Sequence, residues 1–132
     1  MRKRGFLKDL NERNILRKIR RRFINEFLDL IILDRAESAY INGYAIIEYV
    51  FRKFNILVSS GVVYSTLYAM EREDLIEGAW SGRKRIYHIT PKGKKVIKTI
   101  RERFDIINSV FQELITQKQS AVYTANRASH VS

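Results

Sequence analysis

The sequence predicts a mainly α-helical fold with one small β-hairpin, set between a basic N-terminal helix and a long C-terminal helix. Three observations predict it. Apolar residues recur at helical spacing from Phe27 to Phe54 and again from Ile97 to Leu114. A capping serine at Ser59 or Ser60 opens a further helix in which Val63, Leu67 and Met70 fall on one face. The pattern then changes. Leu75-Ile76 and Ala79-Trp80 lead into Ser81-Gly82-Arg83-Lys84, and apolar and polar residues roughly alternate from Arg85 to Thr90.

Size and composition narrow the class. A chain of 132 residues fits one domain with a modest core. It has no cysteine, which excludes a disulfide framework and a thiolate metal site, and its two histidines, His88 and His130, are too few for a typical zinc site. No metal or other cofactor is expected. No apolar run approaches the roughly 18 residues of a membrane span. Gly5, Lys8 and Asp9 stand where a signal peptide would need its apolar core, so no membrane partner and a cytoplasmic location are expected. No Ser-His-Asp arrangement, metal cluster or phosphate-binding glycine loop is present, so the chain is not expected to be an enzyme.

The net charge of +11 is unevenly spread. Residues 1–25 hold ten Lys/Arg against two acids, whereas residues 26–116 hold thirteen against twelve. A basic arm on a balanced body points to a polyanion approached from one side, nucleic acid first among them; a solvated, solubilising tail is the alternative.

Taken in order, residues 1–22 place Leu7, Leu10, Leu16, Ile19 and Phe23 near helical spacing, with Arg13, Arg17, Lys18, Arg20, Arg21 and Arg22 on the basic side. A body helix follows from Ile24 to Ala36, burying Phe27, Leu28, Ile31 and Ile32. Asn42 caps the next helix, in which Tyr44, Ile47, Val50, Phe51 and Phe54 keep the 3–4 spacing. The helix after Ser59 turns Gly61, Ser65, Tyr68 and Arg72 outward, small residues first and a cation near the end. Such a face can approach base edges closely, or simply meet water. The cations Arg83, Lys84 and Arg85 repel one another at the hairpin tip; phosphate or minor-groove contact gives them a reason, and a solvated tip is the other reading. A helix followed at once by a basic hairpin is the recognition half of a winged helix-turn-helix.

Thr90 and Pro91 then start a helix expected from about Lys92 to Thr116. Ile97, Ile100, Phe104, Ile107, Phe111 and Leu114 are spaced by 3, 4, 3, 4 and 3 residues, an a/d stripe. Each large apolar side chain gains about 1.5–3 kcal/mol on burial, so the stripe must be covered. A second copy of the helix is the simplest cover, and packing within the same chain is the alternative. The expected organisation is thus an arm at 1–24, a winged-helix domain at 25–91, a dimerisation helix at 92–116 and a polar tail at 117–132.

Residues 26–95 resemble the PadR family of winged-helix transcriptional regulators. The resemblance rests on Leu28-Asp29-Leu30-Ile31-Ile32-Leu33, on Asn42-Gly43-Tyr44-Ala45-Ile46, on the Gly61-x-x-Tyr64-x-x-Leu67-Tyr68 spacing, and on Thr90-Pro91-Lys92-Gly93 after the hairpin. It implies a homodimer on palindromic double-stranded DNA, with the third body helix in the major groove and the wing on backbone or minor groove. By that carry-over Ser59, Ser60, Val62, Tyr64, Ser65 and Tyr68 face the groove, joined by Arg72, while Arg83, Lys84 and Arg85 form the wing contacts. Arg17, Arg20 and Arg21 are the candidates from the arm. The chain departs from the family at Asp74, where Gly is usual, at Ser60, usually Pro, and at Val62, usually Thr. Some relatives sense small aromatic molecules between subunits, so a small aromatic effector stays open, with Trp80 and the tyrosines available to it. The function expected is a homodimeric, sequence-specific transcriptional repressor; the alternative is a winged helix that binds RNA or a protein of the transcription machinery.

Overall fold

Asn11 is the first residue that the structure, a computed structural model of the chain, describes; the description covers residues 11–116. Leu7, Leu10 and the expected tail at 117–132 lie outside it. The chain divides into two compact units, Met1–Ile97 and Lys98–Ser132.

In the first unit, Asn11 caps α1 (Glu12–Glu26), its side-chain oxygen accepting from the backbone N–H of Arg13 at 2.9 Å and of Asn14 at 3.4 Å. The helix runs past the expected boundary at residue 24 and takes Ile24 into the core. A break at Phe27, whose ring stacks on Phe23 at 6.1 Å, separates it from α2 (Leu28–Ser38). The expected helix from Ile24 to Ala36 therefore belongs to two elements. Neither Gly nor Pro marks the break, so periodicity runs through it unseen. Helix α2 buries Leu28, Ile32, Leu33 and Ala36, and Phe27 stays exposed.

Asn42 caps α3 (Gly43–Phe54), accepting from the Ala45 N–H at 2.8 Å, and Asn55 ends it in the left-handed region at φ 56°. Its buried residues are Gly43, Ile46 and Val50. Tyr44 and Phe51, which keep the same 3–4 spacing, are exposed. The helix carries two apolar stripes, and spacing alone does not say which one meets the core.

Helix α4 (Ser60–Arg72) buries Val63, Leu67 and Met70 as the wheel predicts, capped by Ser59. Its C-terminus is a Schellman turn: the Asp74 N–H reaches the Glu71 carbonyl at 3.0 Å, and the Leu75 N–H the Met70 carbonyl at 2.9 Å. Asp74 takes the left-handed conformation at φ 63°, which Asp tolerates better than most residues.

Strands β1 (Ile76–Ser81) and β2 (Lys84–Ile89) pair antiparallel, with Ile76 opposite Ile89, Gly78 opposite Tyr87 and Trp80 opposite Arg85. Gly82, at φ 64°, takes the first central position of the two-residue turn, as in a type II′ hairpin. Ile41 adds a bridge, exchanging backbone bonds with Tyr87 at 2.9 and 2.7 Å, so the stretch before α3 edges the hairpin.

Thr90 opens α5 (Pro91–Glu102), its hydroxyl accepting from the Gly93 N–H at 3.0 Å and donating to the Asp74 carbonyl at 2.6 Å. A Cβ at Gly93 would collide with the Leu75 carbonyl oxygen, so the helix approaches the end of α4 as only glycine allows. Ile97 completes a core that gathers residues from all five helices of this unit and from both strands.

In the second unit, the last turns of α5 are followed by Arg103 at φ −111° and ψ 28°, and then by α6 (Phe104–Ile115). The single helix expected over 92–116 is thus divided at Arg103. Helix α6 has no buried residue.

Candidate nucleic-acid interface

The first unit brings the expected reading helix and the hairpin together. On α4, Ser60, Gly61, Val62, Tyr64, Ser65, Tyr68 and Arg72 are all exposed, so none is committed to the core. The start of this face is open: a Cβ at Gly61 would meet nothing within 4 Å.

The hydroxyls along it are partly engaged. Ser59 Oγ accepts from the Val62 N–H at 3.1 Å, a bond that does not use its own O–H donor. Ser65 and Thr66 both donate to the Val62 carbonyl, at 3.1 and 2.7 Å, which leaves their lone pairs as acceptors. Tyr64 has a second task. Its ring covers Gly43, where an added Cβ would come within 2.5 Å, and it lies tilted 6.4 Å from Tyr68. It therefore locks the start of α3 to α4 while keeping one side in solvent.

The three wing cations separate into two kinds. Arg83 and Lys84 are exposed at the tip. Arg85 is not an open contact as expected. It is half-buried, its Nη2 donates to Glu71 Oε2 at 2.7 Å, and its guanidinium lies 5.3 Å from the Trp80 ring centre and 5.9 Å from that of Tyr87. Glu71 also accepts from the Gly78 N–H at 3.3 Å. Charge-assisted bonds of this geometry outrank a solvated cation, so Arg85 ties the hairpin to α4. Glu71 is the residue the sequence reading missed. It stands fourteen positions from Arg85, and no local pattern pairs them. Below this tie the Tyr87 ring is buried and its hydroxyl has no hydrogen-bond partner among the described residues. Burial and the Glu71 carboxylate raise its pKa above 10.0, and Arg85 pulls the other way.

The arm candidates also divide. Arg20 donates to the Phe54 carbonyl at 3.3 Å and Arg21 to the Leu57 carbonyl at 3.4 Å. Phe54 ends α3, so Arg20 satisfies one of the carbonyls a helix leaves unpaired, and the pair holds α1 beside the turn that leads into α4. Each guanidinium keeps further N–H donors for another partner. Arg17 is exposed.

Of the expected subunit stripe, Ile97 is instead buried in the core of the first unit. Ile100 is half-buried, and Phe104, Ile107, Phe111 and Leu114 are exposed. Among the described residues no group of three His, Asp or Glu is placed to hold a metal ion, and no helix is long and apolar enough to cross a membrane.

A profile of the transcriptional regulator PadR-like family matches residues 30–99, slightly more than half of the chain. The chain belongs to the PadR-like family of transcriptional regulators. No curated protein sequence matches it. Among solved structures, a PadR-like transcriptional regulator from Bacillus cereus is 25% identical, with a TM-score of 0.60 over 71% of this chain and 96% of that one. A transcriptional regulator from Clostridium thermocellum is 23% identical, with a TM-score of 0.61 over 70% and 93%. A winged-helix DNA-binding protein from STIV is 20% identical, with a TM-score of 0.53 over 64% and 91%. The last two share the fold. The PadR-like match takes in α2 nearly whole, α3, α4, the wing and most of α5, and leaves α1 and α6 outside.

Proposed function

We propose that this PadR-like chain is a homodimeric repressor that reads operator DNA, with α4 in the major groove and the wing tip on phosphates or the minor groove. The observation that carries the reading is the face of α4: seven exposed residues, small at the start, beside a hairpin whose tip presents Arg83 and Lys84. The core takes the opposite face of the same helix, so the outward face is left exposed.

Dimerisation is supported by α6, where Phe104, Ile107, Val110 and Leu114 are exposed on a helix with no buried residue. Leaving several large apolar side chains in water forgoes about 1.5–3 kcal/mol each. A second copy covers them, and a symmetric pair suits a palindrome whose half-sites lie about 34–36 Å apart, one turn of DNA. Arg17, with the remaining donors of Arg20 and Arg21, extends the cationic surface on α1.

Footprinting on a selected duplex is expected to show two protected half-sites about one helical turn apart. Replacing Phe104 and Leu114 by Ser is expected to give monomers in sedimentation and to abolish the paired footprint. Retention of structured RNA in preference to duplex DNA at equal salt would overturn the DNA reading. An undiminished dimer in the double variant would overturn the role given to α6.

A further inference from the structure

Trp80 is the only tryptophan of the chain and stands 68% exposed on β1. The strand register gives its side. Residues two apart share a face of a hairpin, and directly opposed residues share it too. Trp80 therefore lies on the face of Ile76, Gly78, Arg85, Tyr87 and Ile89. At the hairpin root this face is buried, through Ile76, Tyr87 and Ile89. It is also the face from which Arg85 reaches Glu71 on α4. Trp80 is thus turned towards the reading helix, at the level where the hairpin has left the core behind. The next pair outward, Ser81 and Lys84, begins the cationic tip.

The indole is held there rather than left loose. The Arg85 guanidinium lies 5.3 Å from its ring centre, and Glu71 fixes Arg85 at 2.7 Å. Gly78 supplies the room, since a Cβ there would stand 2.8–3.0 Å from the guanidinium atoms. Reading helix, carboxylate, guanidinium and indole form one chain of contacts. It places a flat apolar surface and an N–H donor between α4 and two exposed cations.

Resting on the proposed DNA reading, we infer that Trp80 is a DNA-contacting residue. It packs its indole on the sugar–phosphate backbone that runs between the groove entered by α4 and the stretch met by Arg83 and Lys84. The chemistry fits. The ring face suits the apolar edge of deoxyribose, the Nε1–H is a donor for a phosphate oxygen, and neighbouring cations draw the backbone in. Glu71 and Arg85 are positioning residues for it.

The test uses the full chain and the emission of its single tryptophan. A short mixed-sequence DNA duplex at low salt is titrated in while gel shifts follow binding. The emission is expected to change in step with binding, and acrylamide quenching is expected to fall roughly two-fold as the ring is covered. Trp80→Ala should weaken duplex binding roughly ten-fold, with an unchanged salt slope because no charge is removed, and should lower the melting temperature by no more than a few degrees, the share of one exposed cation–π contact. Trp80→Phe should recover most of the affinity. Binding with unaltered emission and quenching overturns this inference and leaves the DNA reading standing. Failure of the wild-type chain to bind duplex overturns both. Emission that instead follows protein concentration without DNA puts Trp80 in a subunit contact and also overturns the inference.

Discussion

Helices α4 and α6 are both amphipathic, and the structure treats them in opposite ways. Helix α4 buries one side so fully that Leu67 is 0% exposed, while α6 buries nothing and leaves Leu114 at 70%. An apolar stripe states that a face needs cover. It does not state whether the cover comes from the same chain. In α4 it comes from α2, α3 and the hairpin, and the other side is left exposed. In α6 the apolar side is itself the surface on offer.

The sharpest way to break this contrast is to cut the same side chain in each helix. Leu67→Ala is expected to destabilise the chain by about 2–5 kcal/mol, the cost of a large-to-small change in a closed core. Leu114→Ala should leave the melting temperature at low protein concentration almost unchanged and weaken self-association instead. Equal losses in thermal melts would mean that α6 is covered within its own chain.

Two glycines sharpen the contrast within the first unit. Gly93→Ala drives a Cβ into the Leu75 carbonyl and is expected to cost about 1–3 kcal/mol in denaturant unfolding. Gly61→Ala meets open space and improves helix propensity, so a gain of up to about 1 kcal/mol is expected. Reversed signs would mean that the start of α4 is packed and the approach at Gly93 is open.

The smallest effect separates the wing cations. On the proposed DNA reading, replacing Arg83 and Lys84 by Ala should lower the salt slope of duplex binding by about two. Arg85→Ala should leave that slope alone and instead cost roughly 1 kcal/mol or less of stability, as expected for a half-exposed ion pair. A slope that falls equally in both variants would return Arg85 to the DNA-contacting set.

Much of the fold was legible because its signals are local. Asn42 and Ser59 cap helices by bonding N–H groups three residues on, so their roles are visible in any short window. Thr90, Pro91 and Gly93 mark the start of α5 in the same way. Asp74 in place of glycine still reads as a turn because a short polar side chain tolerates positive φ. The misses are of another kind. The break at Phe27 carries no breaker residue, and Tyr44 and Phe51 keep the helical spacing of α3 yet stay exposed. Arg85 looked like its neighbours Arg83 and Lys84 because three cations in a row are alike in sequence.

By itself, then, the sequence determined the order of helices and hairpin, the inward side of α4 and the basic character of the arm and wing. Periodicity, capping and charge are properties of residues a few positions apart. Only the tertiary structure decided that Ile97 belongs to the core and that Arg20 and Arg21 hold α1 to the turn before α4. It also decided that Glu71 withdraws Arg85 from the tip and that the Arg85 guanidinium lies over the Trp80 ring. Those outcomes depend on groups many residues apart meeting at a few ångströms. Which partner a charged or apolar side chain meets is settled by packing, not by its neighbours in the chain.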